Sequence, residues 1–335
     1  MKRMSILAAL LCLFCCACSS TGGTAKDDRK LLVSAIGFDG AGEQIKVSVE
    51  LIIINTENFE SNLTPRVMTG KGDTIREAIA NIGNGLTRQI LLNHCGVIAV
   101  GSGISANRFH EICDYCFSEH QITMSAYMIA TEDCETLLDG EPESSVTVGY
   151  DIMGIIEQES AQTGVAYNSR YFEVETLRER GKNSFALPHF KRVKVGVEVD
   201  GMTLFHQNKQ VAVINTEQAG MYAIITGGLR KGMVSLGSKE YYIDSRRLDC
   251  SNKGGGSVTL CLRLSTSTSK EDCKRLEQRL QDFRTEVEKQ TNNDVLGLAD
   301  ILNERFRNYD PKENNGWRGV SFTVQCKTSK GVHDE

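Results

Sequence analysis

Apolar positions along the chain fall into three patterns, and each predicts a different element. An unbroken run from Met4 to Phe14 follows Lys2 and Arg3 and is too short to cross a bilayer comfortably, so it reads as a leader. Alternation marks the strands. Leu31 to Ile36 and Ile45 to Leu51 flank the turn-rich Asp39-Gly40-Ala41-Gly42 and predict a hairpin with one polar face. Spacings of three and four mark the helices. Asp73 is placed to cap one that carries Ile75, Ala78, Ile79, Ile82 and Leu86 on one side. Val97 to Val100 then predicts a buried strand, Arg108 to Phe117 a helix and Ala126 to Ala130 another strand. That alternation implies right-handed parallel crossovers in part of the sheet.

A further helix is expected from Thr147 to Ser160, with Ile152, Ile155 and Ile156 inward and Glu157 and Glu159 on its solvated side. Glu173 to Leu187 holds a charge run, Arg178-Glu179-Arg180, and then Gly181-Lys182-Asn183-Ser184, and reads as a linker or surface excursion. A domain boundary is placed near Pro188. Val193 to Val199 alternates, turns at Asp200-Gly201 and continues through Met202 to Phe205; Val211 to Ile214 follows, then a short helical stretch from Glu217. Tyr241 to Leu248 and Val258 to Leu264 flank the hairpin turn Gly254-Gly255-Gly256. Ser269 opens a long helix with Cys273, Leu276, Leu280, Phe283 and Val287 in one seam, and Asn292-Asn293-Asp294 starts another that ends before Pro311. Trp317 leads into a last alternating strand, Val320 to Cys326. The fold class is therefore mixed α/β (α+β) and multidomain, with mixed sheets packed with helices. It divides into a leader at 1–17, a first body at 18–190 and a second at 191–335.

Composition supports a packed body. The 335 residues are 40% apolar and 24% charged, close to globular averages and long enough for two or three cores. The net charge of -5 becomes more negative once Lys2 and Arg3 leave with the leader, which argues against nucleic acid or an anionic bilayer surface as the main partner. Beyond the leader and Cys18 stand Cys95, Cys113, Cys116, Cys134, Cys250, Cys261, Cys273 and Cys326. They are sparse and show no compact disulfide framework, so they read as mostly buried free thiols.

Two constellations carry possible chemistry. Gly101-Ser102-Gly103-Ile104-Ser105-Ala106 fits the dinucleotide fingerprint, with Glu132 and Asp133 as ribose ligands. It lies inside the sheet sequence rather than at its first strand, and the competing reading is a glycine turn at a strand-helix junction. The second is His110-x2-Cys113-x2-Cys116-x3-His120. On a straight helix these span about 15 Å, too far for one tetrahedral zinc, and Phe109, Ile112, Cys113, Cys116 and Phe117 share an apolar stripe. No catalytic set, metal site or cofactor site is assigned.

The leader ends in Ala17-Cys18, followed by Ser19, Ser20 and polar residues to Lys26. This resembles a bacterial lipobox, in which the chain is cut before a cysteine that becomes diacylglyceryl-modified. Cys18 is the assigned site because Ala17 is small; Cys16, preceded by Cys15, is the rival, and an ordinary secretory signal or an anchor helix is the competing reading. Two or more acyl chains anchor stably where one is marginal. Together with Leu32-Val33-Ser34-Ala35-Ile36-Gly37-Phe38-Asp39, Gly201-Met202-Thr203-Leu204-Phe205, Lys209 to Val213, Glu217-x2-Gly220, Asp294 to Leu298 and Trp317, the chain is similar to the Ger(x)C family of spore germination lipoproteins. The resemblance implies a non-catalytic C subunit of a nutrient germinant receptor. It would be lipid-anchored on the extracytoplasmic face of the inner spore membrane beside integral membrane A and B subunits. The reading from another class is an envelope lipoprotein with solute-binding or enzymatic activity.

Overall fold

The computed structural model describes residues 30–55, 62–87, 89–118, 122–164, 169–252, 256–310 and 316–329. Cys18, His120, Gly254, Gly255 and Pro311, on which expectations above fall, lie outside these ranges. The predicted hairpin forms from β1 (Lys30–Ala41) and β2 (Gln44–Asn55), and β3 (Asn62–Gly72) extends it antiparallel. α1 (Ile75–Gly83) follows; Thr74, not Asp73, is its cap and accepts from Glu77 N. Then come β4 (Gln89–Leu91), β5 (Val97–Gly101), α2 (Ala106–Ser118) and β6 (Tyr127–Thr131). β1, β5 and β6 run parallel, as the strand-helix alternation requires. Two helices follow on the other side, α3 (Cys134–Leu138) and α4 (Val148–Gln162).

Glu173 to Leu187 is not a linker. Its residues build most of α5 (Tyr171–Glu179) and the first part of β7 (Ser184–Arg192). The charge run misleads because Arg178, read as solvated, folds back on Glu175 at 2.5 Å with its side chain only 10% exposed. Pro188 sits within β7 because the ladder to β6 there consists of the single pair Ala130–His189. The rest of that edge of β6 is taken by the segment before α5: Met128 N–H donates to Ser169 O and Tyr171 N–H to Ala126 O. A boundary between residues 190 and 191 thus falls inside β7, and the sheet runs on through β8 (Val197–His206) and β9 (Lys209–Asn215). The strand order is β3-β2-β1-β5-β6-β7-β8-β9, with β4 beside β1.

Among the described residues this large sheet has helices on both faces. α1, α2 and α5 bury Ile82, Phe109, Cys113 and Tyr171 against one face, and α3 and α4 bury Leu137, Ile152 and Ile156 against the other. α6 (Thr216–Thr226) is buried on all sides from Ala219 to Ile225, the signature of a helix packed between two layers. It joins β8 and β9 to a second sheet made of β10 (Gly232–Leu236), β11 (Lys239–Ser251), β12 (Ser257–Leu264) and β13 (Ser321–Thr328). The first three are antiparallel and β13 pairs parallel with β12. The crossover carries α7 (Lys270–Thr291), capped by Ser269 as expected, and α8 (Leu298–Arg305). Asn292 closes α7 in the left-handed conformation rather than opening the next helix. Both sheets are mixed and packed with helices, so the α+β class holds.

Candidate functional site

The polar face of the first hairpin does not meet water. α3 and α4 cover it, so Lys46, Ser48 and Glu50 each need a partner. Lys46 Nζ reaches Asp133 at 2.8 Å, Asp39 at 3.3 Å and Glu135 at 3.5 Å. Burial works against its charge, but the bond to Asp133 and the field of Asp39 outweigh it and hold the ammonium above its ordinary pKa. Burial pushes the Asp39 carboxyl up, although it accepts from Cys134 N at the start of α3. This cluster fills the carboxyl end of the parallel strands, where α/β sheets place their ligands. The Gly101 to Ala106 turn is packed into the same corner: a Cβ on Gly101 would lie 2.0 Å from Asp39 Oδ1. Of the proposed ribose ligands, Asp133 pairs with Lys46 and caps Thr136 N, while Glu132 O accepts from Ser102 Oγ.

Of the thiol and imidazole motif, Cys113 and Cys116 are fully inside and His110 is outside, bonded to Arg178 and 3.4 Å from Asp114. The stripe is narrower than expected: Phe117 is 52% exposed. Burial pushes the Cys113 thiol up to about 12. Among the described residues no group of three His, Cys, Asp or Glu could hold a metal ion. Cys113→Ala should therefore act only through a small cavity, lowering the urea midpoint by about 1 kcal/mol equivalent and leaving metal content unchanged. Stoichiometric zinc in the purified chain, lost in that variant, would contradict this.

Two neighbouring cavities lie where the large sheet meets α8. One, of about 350 Å³, is walled by Phe172, Leu177, Phe185, Tyr222, Leu296 and Ile301. Its polar side chains are spent locally: Ser169 on Met128 O, Thr176 on Phe172 O, Thr226 on Tyr222 O and Lys182 on Glu304. Next to it, sharing Asp300, lies a cleft of about 680 Å³ lined by Asn183, His206, Asp300, Arg307, Tyr309 and Trp317. Here Ser184 Oγ donates to Asp294 O and so must accept from His206 Nδ1, both at 2.8 Å. That fixes the Nδ1–H tautomer and leaves Nε2 as an acceptor. Burial pushes His206 down, favouring the neutral ring. Sequence reasoning singled out none of these for a site except in quoting Trp317 for the resemblance. They come from five separate segments, two of them loops, and no spacing signals such a set.

Residues 28–192 match the family model described as the spore germination protein N-terminal domain. The chain belongs to the Ger(x)C family of spore germination proteins. None of the curated proteins and none of the solved structures matches it. The matched segment of this germination protein ends on Arg192, the last residue of β7. It therefore takes in β1 to β7 and α1 to α5, while most of the 680 Å³ cleft lies beyond it. Family membership gives the chain a role in spore germination. No helix among the described residues is long and apolar enough to cross a membrane.

Proposed function

We propose that this germination protein is the lipid-anchored C subunit of a nutrient germinant receptor. In this reading diacylglyceryl-modified Cys18 holds it on the extracytoplasmic face of the inner spore membrane, where it acts by assembling with integral membrane A and B subunits and carries no catalysis of its own. The observation that carries the reading is the family match beginning at residue 28, shortly after a lipobox-like Ala17-Cys18 and a polar stretch. The twelve Cα–Cα steps from Cys18 to Lys30 reach at most about 40 Å when extended. A body so confined meets membrane partners at high effective concentration, and weak contacts suffice for assembly.

Cys18→Ala is the test. Spores carrying it should release the protein from the membrane fraction and lose most of the nutrient response, while agents that bypass nutrient receptors still trigger germination. Mass analysis of the wild-type amino terminus should find an acylated Cys18. A variant that stays membrane-bound with its nutrient response intact would sink the anchor, and a deletion strain with unchanged responses to every nutrient would sink the receptor assignment.

A further inference from the structure

β1, β5 and β6 run parallel, so their first residues mark one end of the large sheet. Lys30 opens β1, and the chain from Cys18 therefore arrives at this end. Three exposed apolar side chains stand there too. α2 returns from the carboxyl end of β5, which brings Phe117, in its last turn and 52% exposed, back to the amino end. Met124, 40% exposed, lies in the loop that leads into β6. Phe172, 42% exposed, opens α5 against that loop, its N–H donating to Met124 O at 3.0 Å. β6 is two strand spacings from β1, about 10 Å, well within the reach of the tether. The hydroxyls between the three are spent within the protein: Ser118 Oγ donates to Tyr115 O, and Thr123 and Ser125 bond each other. Ser125 O accepts from Arg170 at 2.8 Å. The other exposed large apolar side chains lie on α4 (Tyr150), in the loop before β8 (Val195), on β9 (Val213) and across β10 and β11 (Met233 and Tyr242). Single ones are ordinary, but three on the segments that close one end of a sheet, where a lipidated chain emerges, are not scattered.

We propose that this end of the sheet docks on the lipid bilayer, with Phe117, Met124 and Phe172 entering the boundary between headgroups and acyl chains. The inference rests on the lipid-anchor reading and adds to it the orientation of the anchored body. The size of the patch selects a lipid surface over a protein partner. A stable protein interface takes about 800 Å² from each side, more than three partly exposed side chains offer. They project instead from a helix end, a loop and a helix start, and a fluid interface admits each on its own. Apolar side chains of this kind settle at the boundary, where burial of their area is the driving force. A contact too weak to hold a free protein suffices here, because the tether keeps the face it emerges from at high effective concentration beside the bilayer. The contact is apolar and the chain carries a net charge of -5, so anionic lipid is not required. The Asp39 and Lys46 corner, at the carboxyl end of the same strands, then faces away from the membrane.

Trp317 is the single tryptophan, so Trp317→Phe gives a dark background in which one new tryptophan reports its own surroundings. The full chain, purified from membranes in detergent, is reconstituted into phosphatidylcholine vesicles without other subunits. Flotation of the vesicles reads the anchor, and quenching by phosphatidylcholine brominated along its acyl chains reads the contact. Phe172→Trp and Met124→Trp should each lose about half of their emission in brominated vesicles, as a side chain about 5–10 Å into the boundary would. Glu43→Trp, in the exposed turn between β1 and β2 at the opposite end of the sheet, should lose little. Added phosphatidylglycerol or high salt should leave the quenching unchanged. The two reporters stand on different segments, so one that misfolds by far-ultraviolet circular dichroism leaves the other to decide. Protein that floats with its vesicles but is quenched at neither position overturns the docking and leaves the anchor standing; protein that does not float overturns both. Equal quenching of Glu43→Trp, or quenching that appears only with anionic lipid, also overturns the proposal. If positions 172 and 124 stay unquenched by lipid and become shielded from aqueous iodide only when integral membrane subunits are added, the face belongs to a protein partner and the lipid contact is wrong.

Discussion

Replacing Gly201 with alanine is expected to destabilise the protein by about 3–5 kcal/mol, the sum of a strained backbone and an impossible contact. Gly201 has φ +143°, a region that side-chain-bearing residues rarely enter. A Cβ there would stand 1.8 Å from Ile214 O, a backbone atom of β9 that cannot swing away. The cause is a β-bulge. Phe190 pairs with Val199 and His189 with Gly201, so Asp200 is the extra residue, and its carboxylate bonds His189 Nδ1 at 2.6 Å. Domains of this kind are stable by about 5–15 kcal/mol in all. Urea denaturation of Gly201→Ala should show either a large loss of midpoint or no folded baseline. Gly154→Ala supplies the contrast: that glycine is exposed in α4 with open space where its Cβ would go, and alanine should stabilise by about 0.5–1 kcal/mol. Equal midpoints for the two variants would refute the bulge argument.

Asp200-Gly201 also shows where local sequence signals stop. Asp-Gly between alternating runs reads as a turn, and a bulge has the same residue preference, because both need a glycine where β-branched residues cannot go. Only the partner strands decide between them. The stretch from Glu173 to Leu187 fails for a related reason. Arg178 and Glu175 look solvated until tertiary packing lays their helix, α5, against α2, where Arg178 meets His110 and Asp114, and Phe185 and Leu187 are too few to announce a strand. By contrast the β1–β2 hairpin, the β5-α2-β6 unit and α7 were legible, since each carries its own period, and α1, α4 and α7 have caps within one turn. The edge strands β3 and β10 carry no comparable apolar alternation and went unpredicted.

The chemistry was less legible than the fold. Gly101 to Ala106 matched a fingerprint whose meaning depends on an open crevice, and the crevice is filled by Asp39 and Lys46, which sequence spacing cannot place there. Cys113 and Cys116 were readable as core from the helical stripe. The polar lining of the cleft was not, because Asn183, His206, Asp300 and Arg307 are individually ordinary and become notable only when tertiary structure brings them to one cleft. Helix termini show the same separation. Asp294 accepts from Leu298 N and Ala299 N at the start of α8, within reach of a sequence reading. Asp39 and Glu50 serve α3 and α4 from strands about a hundred residues earlier.

Glu50 makes that long-range capping testable. Val148 N donates to its Oε1 at 2.7 Å, Gly149 N to its Oε2 at 2.9 Å and Ser34 Oγ to Oε2 at 2.6 Å, while Thr147 Oγ1 takes Tyr150 N. Between them the carboxylate and the threonine satisfy the first three amides of α4, which are otherwise orphaned at any helix start. Glu50→Ala would leave two amides buried without acceptors, with Ser34 Oγ keeping only its bond to Glu50 O at 3.3 Å, and would open a cavity, a loss of about 4 kcal/mol. Glu50→Gln keeps the volume and one acceptor but sets an amide N–H₂ against a backbone donor, and should cost about 1–3 kcal/mol. The pH dependence gives an independent check. Burial raises the Glu50 pKa above its ordinary value, and the bonds from Ser34, Gly149 and Val148 only partly oppose it. The folded state therefore holds this proton more tightly than the unfolded chain. Its contribution is full below the unfolded pKa, about 4.3, and is lost as pH rises through the higher folded value. Since Glu50→Gln cannot titrate there, the stability gap between wild type and variant should be widest at the acidic end of a urea series and narrow as pH rises through the folded pKa. A gap that widens with rising pH would mean that the carboxylate is stabilised in its charged form, and that hydrogen bonding rather than burial dominates at this helix start.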